Sequence, residues 1–202
     1  MADARDTADN SAESEEHRAT PPLAADDELV ERALRDRAAF GELYRRYLPR
    51  VYRYALARTG DAEQAQDVTA QTFLAALEGL ASYRRTGTLL AWLLTIARHK
   101  AADLARGRRA LAPLEQAAQL ASHEPSPERI VAARLELEQV LRALRTLAPD
   151  RAEALALRVF GALTTAEAAA VLGKSEAAVK MLVHRAVHEL RERLAFRIEA
   201  EL

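Results

Sequence analysis

One stretch near the C-terminal end constrains the fold of this chain most, because it predicts two helices joined by a short turn. Residues 164–194 begin with Thr164 and, three residues later, Glu167, which is the spacing of a capping box at a helix N-terminus. Gly173 supplies the left-handed backbone that ends a helix, and Ser175 is a suitable N-cap for the next one. The pattern therefore predicts a helix, a tight turn and a second, longer helix.

The second of these helices is amphipathic. Its apolar residues recur every three or four positions, which predicts a buried stripe. The stripe consists of Val179, Leu182, Val183, Ala186, Leu190 and Leu194. The opposite face consists of Lys180, Met181, His184, Arg185 and His188. This arrangement is typical of a helix-turn-helix, whose second helix enters the DNA major groove. An ordinary helical hairpin in a bundle is the alternative for this stretch.

Helical periodicity continues through most of the chain. Asp26 or Asp27 is the expected N-cap of a first helix, and a second helix is expected from about Arg37. Pro49 should kink or break that second helix, because proline has no amide hydrogen to donate within a helix. No run of useful length has the two-residue period of a β-strand, so the predicted fold class is all-α.

Composition divides the chain into four parts. Residues 1–25 have few apolar side chains and are expected to form a disordered acidic tail. Prolines and serines interrupt the helical pattern over residues 111–128, which predicts a flexible linker. We therefore expect two small helical domains, residues 26–110 and residues 129–202, joined by that linker.

Charge is distributed unevenly, although the formal net charge of the 202 residues is only −1. Residues 1–28 hold nine acids and two arginines, whereas residues 29–110 hold fifteen bases and eight acids. A basic domain of this kind is typical of a protein that binds a polyanion such as nucleic acid. Arginines that only solvate helix faces are the alternative.

The basic residues of the first domain concentrate in one loop and one helix. Arg84 and Arg85 lie in the loop formed by residues 81–87, next to Tyr83. The basic residues of the following helix are Arg98, His99, Lys100, Arg106, Arg108 and Arg109. An aromatic ring beside such cations can stack on an unpaired base. Tyr83 suits either that role or packing, whereas core packing is the preferred interpretation for Trp92, which lies in an apolar run.

The sequence lacks the side-chain groupings that catalysis or metal binding needs. Cysteine is absent, and the five histidines are scattered. His184 and His188 lie four residues apart on one predicted helix face, but two ligands alone do not make a metal site. No glycine-rich phosphate loop or nucleophile motif occurs. We therefore expect neither an enzyme nor a cofactor.

Membrane and secretion signals are also missing from the pattern. The apolar run over residues 89–104 is interrupted by Arg98, Lys100 and Asp103. The first residues do not combine a basic segment with an apolar one, as a secretion signal would. We therefore expect a cytoplasmic protein without membrane insertion.

Three blocks of sequence, in this order, resemble the extracytoplasmic-function (ECF) sigma factors of bacterial RNA polymerase. The first block is FGELYRRYLPRVYRYALARTGDAEQAQD, the second is AWLLTIARHKAADLARGRR, and the third is LRTLAPDRAEALALRVFGALTTAEAAAVLGKSEAAVKMLVHRAVHELRERL. The resemblance covers nearly everything from Asp27 to Leu194. It implies a dissociable, non-catalytic subunit that gives core polymerase its promoter preference.

The resemblance also implies a partner for each surface. Core polymerase would be bound through its flap and through the clamp helices of its largest subunit, with Asp67 and Gln71 at the clamp helices. The −10 element would be contacted by Tyr83, Arg84, Arg85, Arg98, His99, Arg106 and Arg109. The −35 element would be contacted by Lys174, Ser175, Glu176, Ala177, Ala178, Lys180, Met181, His184 and Arg185. An anti-sigma factor is the further implied partner.

Several residues depart from the family pattern. His99 stands where the family has asparagine, and Met181 and Leu182 replace residues that are usually polar or basic. These positions bear on promoter preference, so no promoter sequence is predicted. A stand-alone helix-turn-helix transcriptional regulator is the alternative to a sigma factor, and an adaptor helical bundle is a further one.

Overall fold

The computed structural model describes residues 23–111 and 137–200, with side chains described over residues 26–107 and 137–193. We refer to the two ranges as the N-terminal half and the C-terminal half. All regular structure within them is helical, which confirms the predicted all-α class. Residues 1–22 of the expected tail and residues 112–128 of the expected linker lie outside the described residues.

Eight α-helices are described. The N-terminal half contains α1 (Leu23–Arg35), α2 (Arg37–Thr59), α3 (Ala62–Gly79), a short 3-10 turn (Leu80–Ser82) and α4 (Leu89–Leu111). The C-terminal half contains α5, described over residues 137–145, then α6 (Pro149–Leu155), α7 (Thr165–Leu172) and α8 (Glu176–Ala200). A π-helical turn (Ala156–Phe160) continues α6.

The start of α1 differs from the expectation, because the helix already includes residues 23–25 and neither Asp26 nor Asp27 is its N-cap. Asp26 is instead 3% exposed and accepts a hydrogen bond of 2.8 Å from Arg46 Nη1. The hydroxyl of Tyr47 donates to its other oxygen. Burial and this hydrogen bond raise the pKa of the Tyr47 hydroxyl. Asp26 therefore anchors α1 on α2, since a buried carboxylate is tolerated only when it is paired.

Pro49 was expected to kink or break the second helix, and the break does not occur. Helix α2 begins at Arg37, as expected, and continues through Pro49 to Thr59. Its buried residues lie on both sides of the proline and include Leu43 and Val51. Burial of a leucine or valine contributes roughly 1.5–3 kcal/mol, so the packed face offsets the cost of about 3 kcal/mol of an interior proline.

One hydrophobic core runs through both halves. The π-helical turn lies against α2, and α7 lies against α4. Gly161 follows the π-helical turn, and a Cβ atom there would lie only 2.6 Å from Leu94 Cδ1. Because only glycine permits this approach, Gly161 allows the halves to pack closely. Nothing in the sequence pattern indicated this contact.

Candidate nucleic-acid interface

The predicted helix-turn-helix is present, with the expected residues at its ends. Thr164 Oγ1 accepts a hydrogen bond of 3.2 Å from the Glu167 amide, and Glu167 Oε2 accepts one of 2.7 Å from the Thr164 amide. Gly173 ends α7 with a φ of 63°. Ser175 Oγ accepts a hydrogen bond of 3.2 Å from the Ala178 amide at the start of α8. The capping box, the glycine turn and the second cap are therefore confirmed.

Helix α8 presents the expected polar face. Val179 and Ala186 are fully buried, and Leu182, Val183 and Leu190 are half-buried beneath it. The side chain of Leu194 lies outside the described residues. The exposed candidates for −35 contact are Lys174, Ser175, Glu176, Ala177, Lys180, Met181, His184 and Arg185. Ala178 is half-buried, so its side chain offers less surface than the others.

One feature of this face, the pairing of Lys174 with Asp150, was not foreseen, whereas the exposure of Met181 was expected. Lys174 Nζ lies 3.0 Å from Asp150 Oδ2 at the start of α6, and both side chains are exposed. Such a pair contributes little to stability, so Lys174 can exchange Asp150 for a phosphate. Met181 is 49% exposed, which leaves an apolar contact surface among charged neighbours.

The loop formed by residues 81–87 is held by its own tyrosine. The Tyr83 hydroxyl donates a hydrogen bond of 2.7 Å to the Gly87 carbonyl, and its ring centroid lies 5.1 Å from that of Trp92. Burial, followed by the charges of Asp27 and Asp26, raises the pKa of Tyr83 to about 12, so the hydroxyl remains a donor. Trp92 is half-buried against the core, in agreement with the packing role expected for it.

Arg85 is tied to α1. It adopts a left-handed backbone with a φ of 54°, and its guanidinium pairs with Glu31 and lies 3.7 Å from Asp27 Oδ1. The hydrogen bond to Glu31 is the main cause that raises the pKa of Arg85. Arg84 and Arg85 are both exposed. The ion pairs with α1 distinguish Arg85, and the sequence did not indicate them.

The basic residues of α4 whose side chains are described lie in different surroundings. Arg98 is half-buried and lies 3.9 Å from Glu153 Oε1 of the C-terminal half. His99 and Arg106 are exposed, and Arg106 pairs with Asp103 on its own helix. The side chain of Arg109 lies outside the described residues. Among the α4 candidates whose side chains are described, only Arg98 lies close to a charged residue of the C-terminal half.

Helix α3 combines polar and apolar residues on its exposed face. Asp67 and Gln71 are exposed, as expected, and Leu74 beside them is 59% exposed. Leu77 is 38% exposed, whereas Phe73 is buried against the ring of Tyr44. Leu74 could have been found from the sequence, since it lies three residues after Gln71 on the polar face.

Neither a metal centre nor a membrane span is found in the described part of the chain. Over residues 23–111 and 137–200, no group of three or more histidine, aspartate or glutamate side chains could hold a metal ion. The helices of the same ranges are too short or too polar to cross a bilayer.

Both halves match known families. The N-terminal half matches Sigma-70 region 2 over residues 43–111, and the C-terminal half matches Sigma-70, region 4 over residues 137–190. The ECF RNA polymerase sigma factor SigD of Mycobacterium tuberculosis is 33% identical over 173 residues, which cover 82% of each chain. The chain belongs to the ECF sigma factor family. The sigma-factor interpretation is thereby confirmed, and the stand-alone regulator is not favoured.

Further relatives of this sigma factor agree with the assignment. The ECF sigma factor BldN of Streptomyces coelicolor is 41% identical over 167 residues, which cover 81% of this chain and 63% of BldN. A structure of CnrH in complex with the cytosolic domain of CnrY has a TM-score of 0.66 at 30% identity, covering 85% of this chain and 97% of that one. A structure of the sigma factor RpoE with the anti-sigma factor NepR from Bartonella quintana has a TM-score of 0.64 at 26% identity, covering 77% and 96%.

Proposed function

We propose that this sigma factor directs core RNA polymerase to promoters whose −10 element is bound by the N-terminal half and whose −35 element is bound by the C-terminal half. The observation that carries the proposal is the presence of sigma region 2 and sigma region 4 on one chain, with the polar face of α8 exposed. Such a role needs no catalytic group or cofactor of its own. We place the protein in the cytoplasm, where the polymerase acts.

The −35 element would be bound by α8 in the major groove. Lys180 and Arg185 lie on its exposed face and suit contacts to phosphate, which position the helix without reading sequence. Glu176 and Ala177, in the first turn of α8, lie where a recognition helix meets base edges. Met181 suits an apolar contact, such as one with a thymine methyl group.

The −10 element would be bound by the loop formed by residues 81–87 and by α4. Arg84, His99 and Arg106 are exposed cations or potential cations on these elements. Extruding a base from the stack costs a few kcal/mol, and contacts of such cations with phosphates can offset that cost. The half-buried ring of Tyr83 is held in place by Gly87 and Trp92, so it offers a rigid partner for an unpaired base.

The polymerase would be bound by the exposed face of α3. This face places the carboxylate of Asp67 and the amide of Gln71 next to the apolar side chains of Leu74 and Leu77. Exposed leucines beside polar groups suit an interface with an apolar centre and a polar rim. The two leucines extend the surface that the family resemblance had assigned to Asp67 and Gln71.

An anti-sigma factor is the regulatory partner that we propose. CnrH and RpoE, whose structures resemble this one, were solved with the cytosolic domain of CnrY and with the anti-sigma factor NepR. Both similarities extend over most of this chain, which supports a partner of the same kind.

Run-off transcription with purified core polymerase on a library of promoter sequences tests the proposal. We expect specific transcripts only when both proteins are present, with little binding to duplex promoter DNA by the protein alone. Tight, sequence-specific duplex binding without polymerase, combined with no transcription, would instead support a stand-alone regulator.

A further inference from the structure

Glu153 of α6 joins the two halves through three side chains of the N-terminal half. Its Oε1 accepts a hydrogen bond of 2.6 Å from the Tyr54 hydroxyl, and its Oε2 lies 3.0 Å from Arg58 Nε. Arg98 Nε lies 3.9 Å from Oε1. The Glu153 side chain is 12% exposed and Tyr54 is fully buried. Ion pairs this poorly hydrated are screened far less than surface pairs.

A second polar contact joins the halves next to the loop formed by residues 81–87. Thr88 Oγ1 donates a hydrogen bond of 2.5 Å to Glu167 Oε1, while Glu167 Oε2 closes the capping box of α7. Thr88 directly precedes α4 and follows the loop formed by residues 81–87. The start of the helix-turn-helix is therefore attached to the segment that would open the −10 DNA.

This packed arrangement is too small to contact both promoter elements. The elements are named for positions about 25 base pairs apart, which is roughly 85 Å of B-DNA at about 3.4 Å per base pair. A compact body of about 200 residues has a radius of gyration of roughly 17 Å, and hence a diameter of roughly 45 Å. The halves must separate before each can reach its element.

The contact also has features of one that can open. Arg58 Nε lies close to Glu153 but is not aligned to donate a hydrogen bond, so a buried donor is left without an acceptor. An unsatisfied buried donor carries a desolvation cost that is relieved when the interface opens to water. Arg98 would be released at the same time.

We propose that Glu153 closes an autoinhibitory interface that occupies Arg58 and Arg98, and that the interface must open for promoter binding. The inference rests on the proposed function, since it takes Arg98 as a −10 contact and α8 as the −35 reader. In the closed form, a carboxylate of the C-terminal half occupies the place that a DNA phosphate would take at Arg98.

The distance between the halves tests the proposal in the full chain. The sequence contains no cysteine, so the changes Glu63→Cys and Arg191→Cys at exposed positions provide two specific sites for a fluorescence-transfer pair. Glu153→Gln and Tyr54→Phe should each lengthen and broaden the inter-label distance. Glu189→Gln is the matched control, because Glu189 pairs with Arg151 and Arg193 inside the C-terminal half and should leave the distance unchanged.

Binding of a random-sequence DNA duplex at low salt gives a second readout. Releasing two arginines should raise the affinity for DNA roughly threefold to tenfold in Glu153→Gln, which corresponds to about 0.6–1.4 kcal/mol. Glu189→Gln should leave the affinity unchanged. Distances and affinities that match the unsubstituted protein in both Glu153→Gln and Tyr54→Phe would overturn the proposal. Run-off transcription by the unsubstituted protein is scored separately, so failure of the sigma role and failure of the Glu153 contact are distinguishable.

Discussion

The Tyr54 hydroxyl donates a hydrogen bond of 2.6 Å to Glu153, which lies 99 residues further along the chain. The bond joins α2 to α6 and thus one half of the molecule to the other. Burial and the neighbouring Glu153 carboxylate raise the pKa of the Tyr54 hydroxyl well above its usual value, so it stays protonated at neutral pH. The Tyr54 hydroxyl can therefore donate this hydrogen bond throughout the physiological pH range.

Removing the Tyr54 hydroxyl should weaken the fold. Tyr54→Phe keeps the buried ring and deletes only the donor to Glu153, so we expect the free energy of unfolding to fall by about 1–3 kcal/mol. Urea unfolding monitored by circular dichroism measures this change. Tyr52→Phe, at a half-buried position of the same helix, is the control. An equal effect of the two substitutions would contradict a specific role of the Tyr54 hydroxyl.

The Glu167 carboxylate should make stability depend on acidic pH. Burial opposes its ionisation, but hydrogen bonds from Thr88 and Thr164 outweigh burial, and its pKa is lowered. A lowered pKa contributes stability above the unfolded value of about 4.3, and that contribution is lost as pH falls through the folded value. We expect Glu167→Gln to flatten the fall in unfolding free energy between about pH 5 and pH 3. Glu176→Gln, at an exposed position, should retain the unsubstituted profile, and an unchanged profile in Glu167→Gln would refute the prediction.

A methyl group at Gly161 should disturb the packing between the halves. Its Cβ would lie 2.6 Å from Leu94 Cδ1 and 2.8 Å from the Leu157 carbonyl oxygen, so one of them must move. We expect Gly161→Ala to lower the unfolding free energy by about 1–3 kcal/mol. Gly107→Ala is the matched control, because a Cβ on Gly107 in α4 meets no atom within 4 Å and alanine favours helix by about 0.5–1 kcal/mol. A neutral Gly161→Ala would show that the halves pack less tightly than described.

Charge reversal on α8 should affect −35 binding alone. Lys180→Glu and Arg185→Glu alter exposed side chains, so the fold and the binding of core polymerase should be preserved. We expect weaker binding of the polymerase complex to −35 DNA, and the salt dependence of binding should lose about one unit of slope for each phosphate contact removed. Fluorescence anisotropy over a range of salt concentrations measures both effects. Loss of core binding in either variant would mean that these residues lie on a different interface.

Leu74, the more exposed of the two exposed leucines of α3, should contribute to polymerase binding. Leu74→Ala removes an apolar side chain that is 59% exposed, so folding should be little affected. If Leu74 is a central contact of the interface, core polymerase should bind about tenfold more weakly, since such contacts contribute roughly 1–2 kcal/mol. Leu34→Ala, at a 44% exposed leucine of α1, is the control and should leave binding unchanged. Surface plasmon resonance with immobilised core enzyme distinguishes the two.

The structure agrees with the sequence-based predictions where it is determined by neighbouring residues. The capping box of Thr164 and Glu167, the left-handed Gly173 and the N-cap Ser175 were all predicted, because each acts on an amide or a turn within a few positions of itself. The buried positions Val179 and Ala186 of α8 followed from helical periodicity in the same way. The family followed from the order of three sequence blocks and was confirmed by the relatives.

The structure differs from the sequence-based predictions where a distant element packs against the residue concerned. Pro49 does not end α2, because residues on both sides of it are held against other helices. Asp26 does not cap α1, because the side chains of Arg46 and Tyr47 hold it in a buried site. The expected break at Pro49 and the expected cap at Asp26 relied on local preference, and packing overrode both.

The sequence by itself determined which segments are helical, which face of α8 is polar and to which family the chain belongs. Only the tertiary structure decided that Glu153 contacts Tyr54, Arg58 and Arg98. It also decided that Leu94 lies too close to Gly161 for any side chain at that position. Helical periodicity and caps depend on residues within about four positions, and these are visible in the order of amino acids. Contacts between the halves depend on how whole helices pack, and no local pattern records that arrangement.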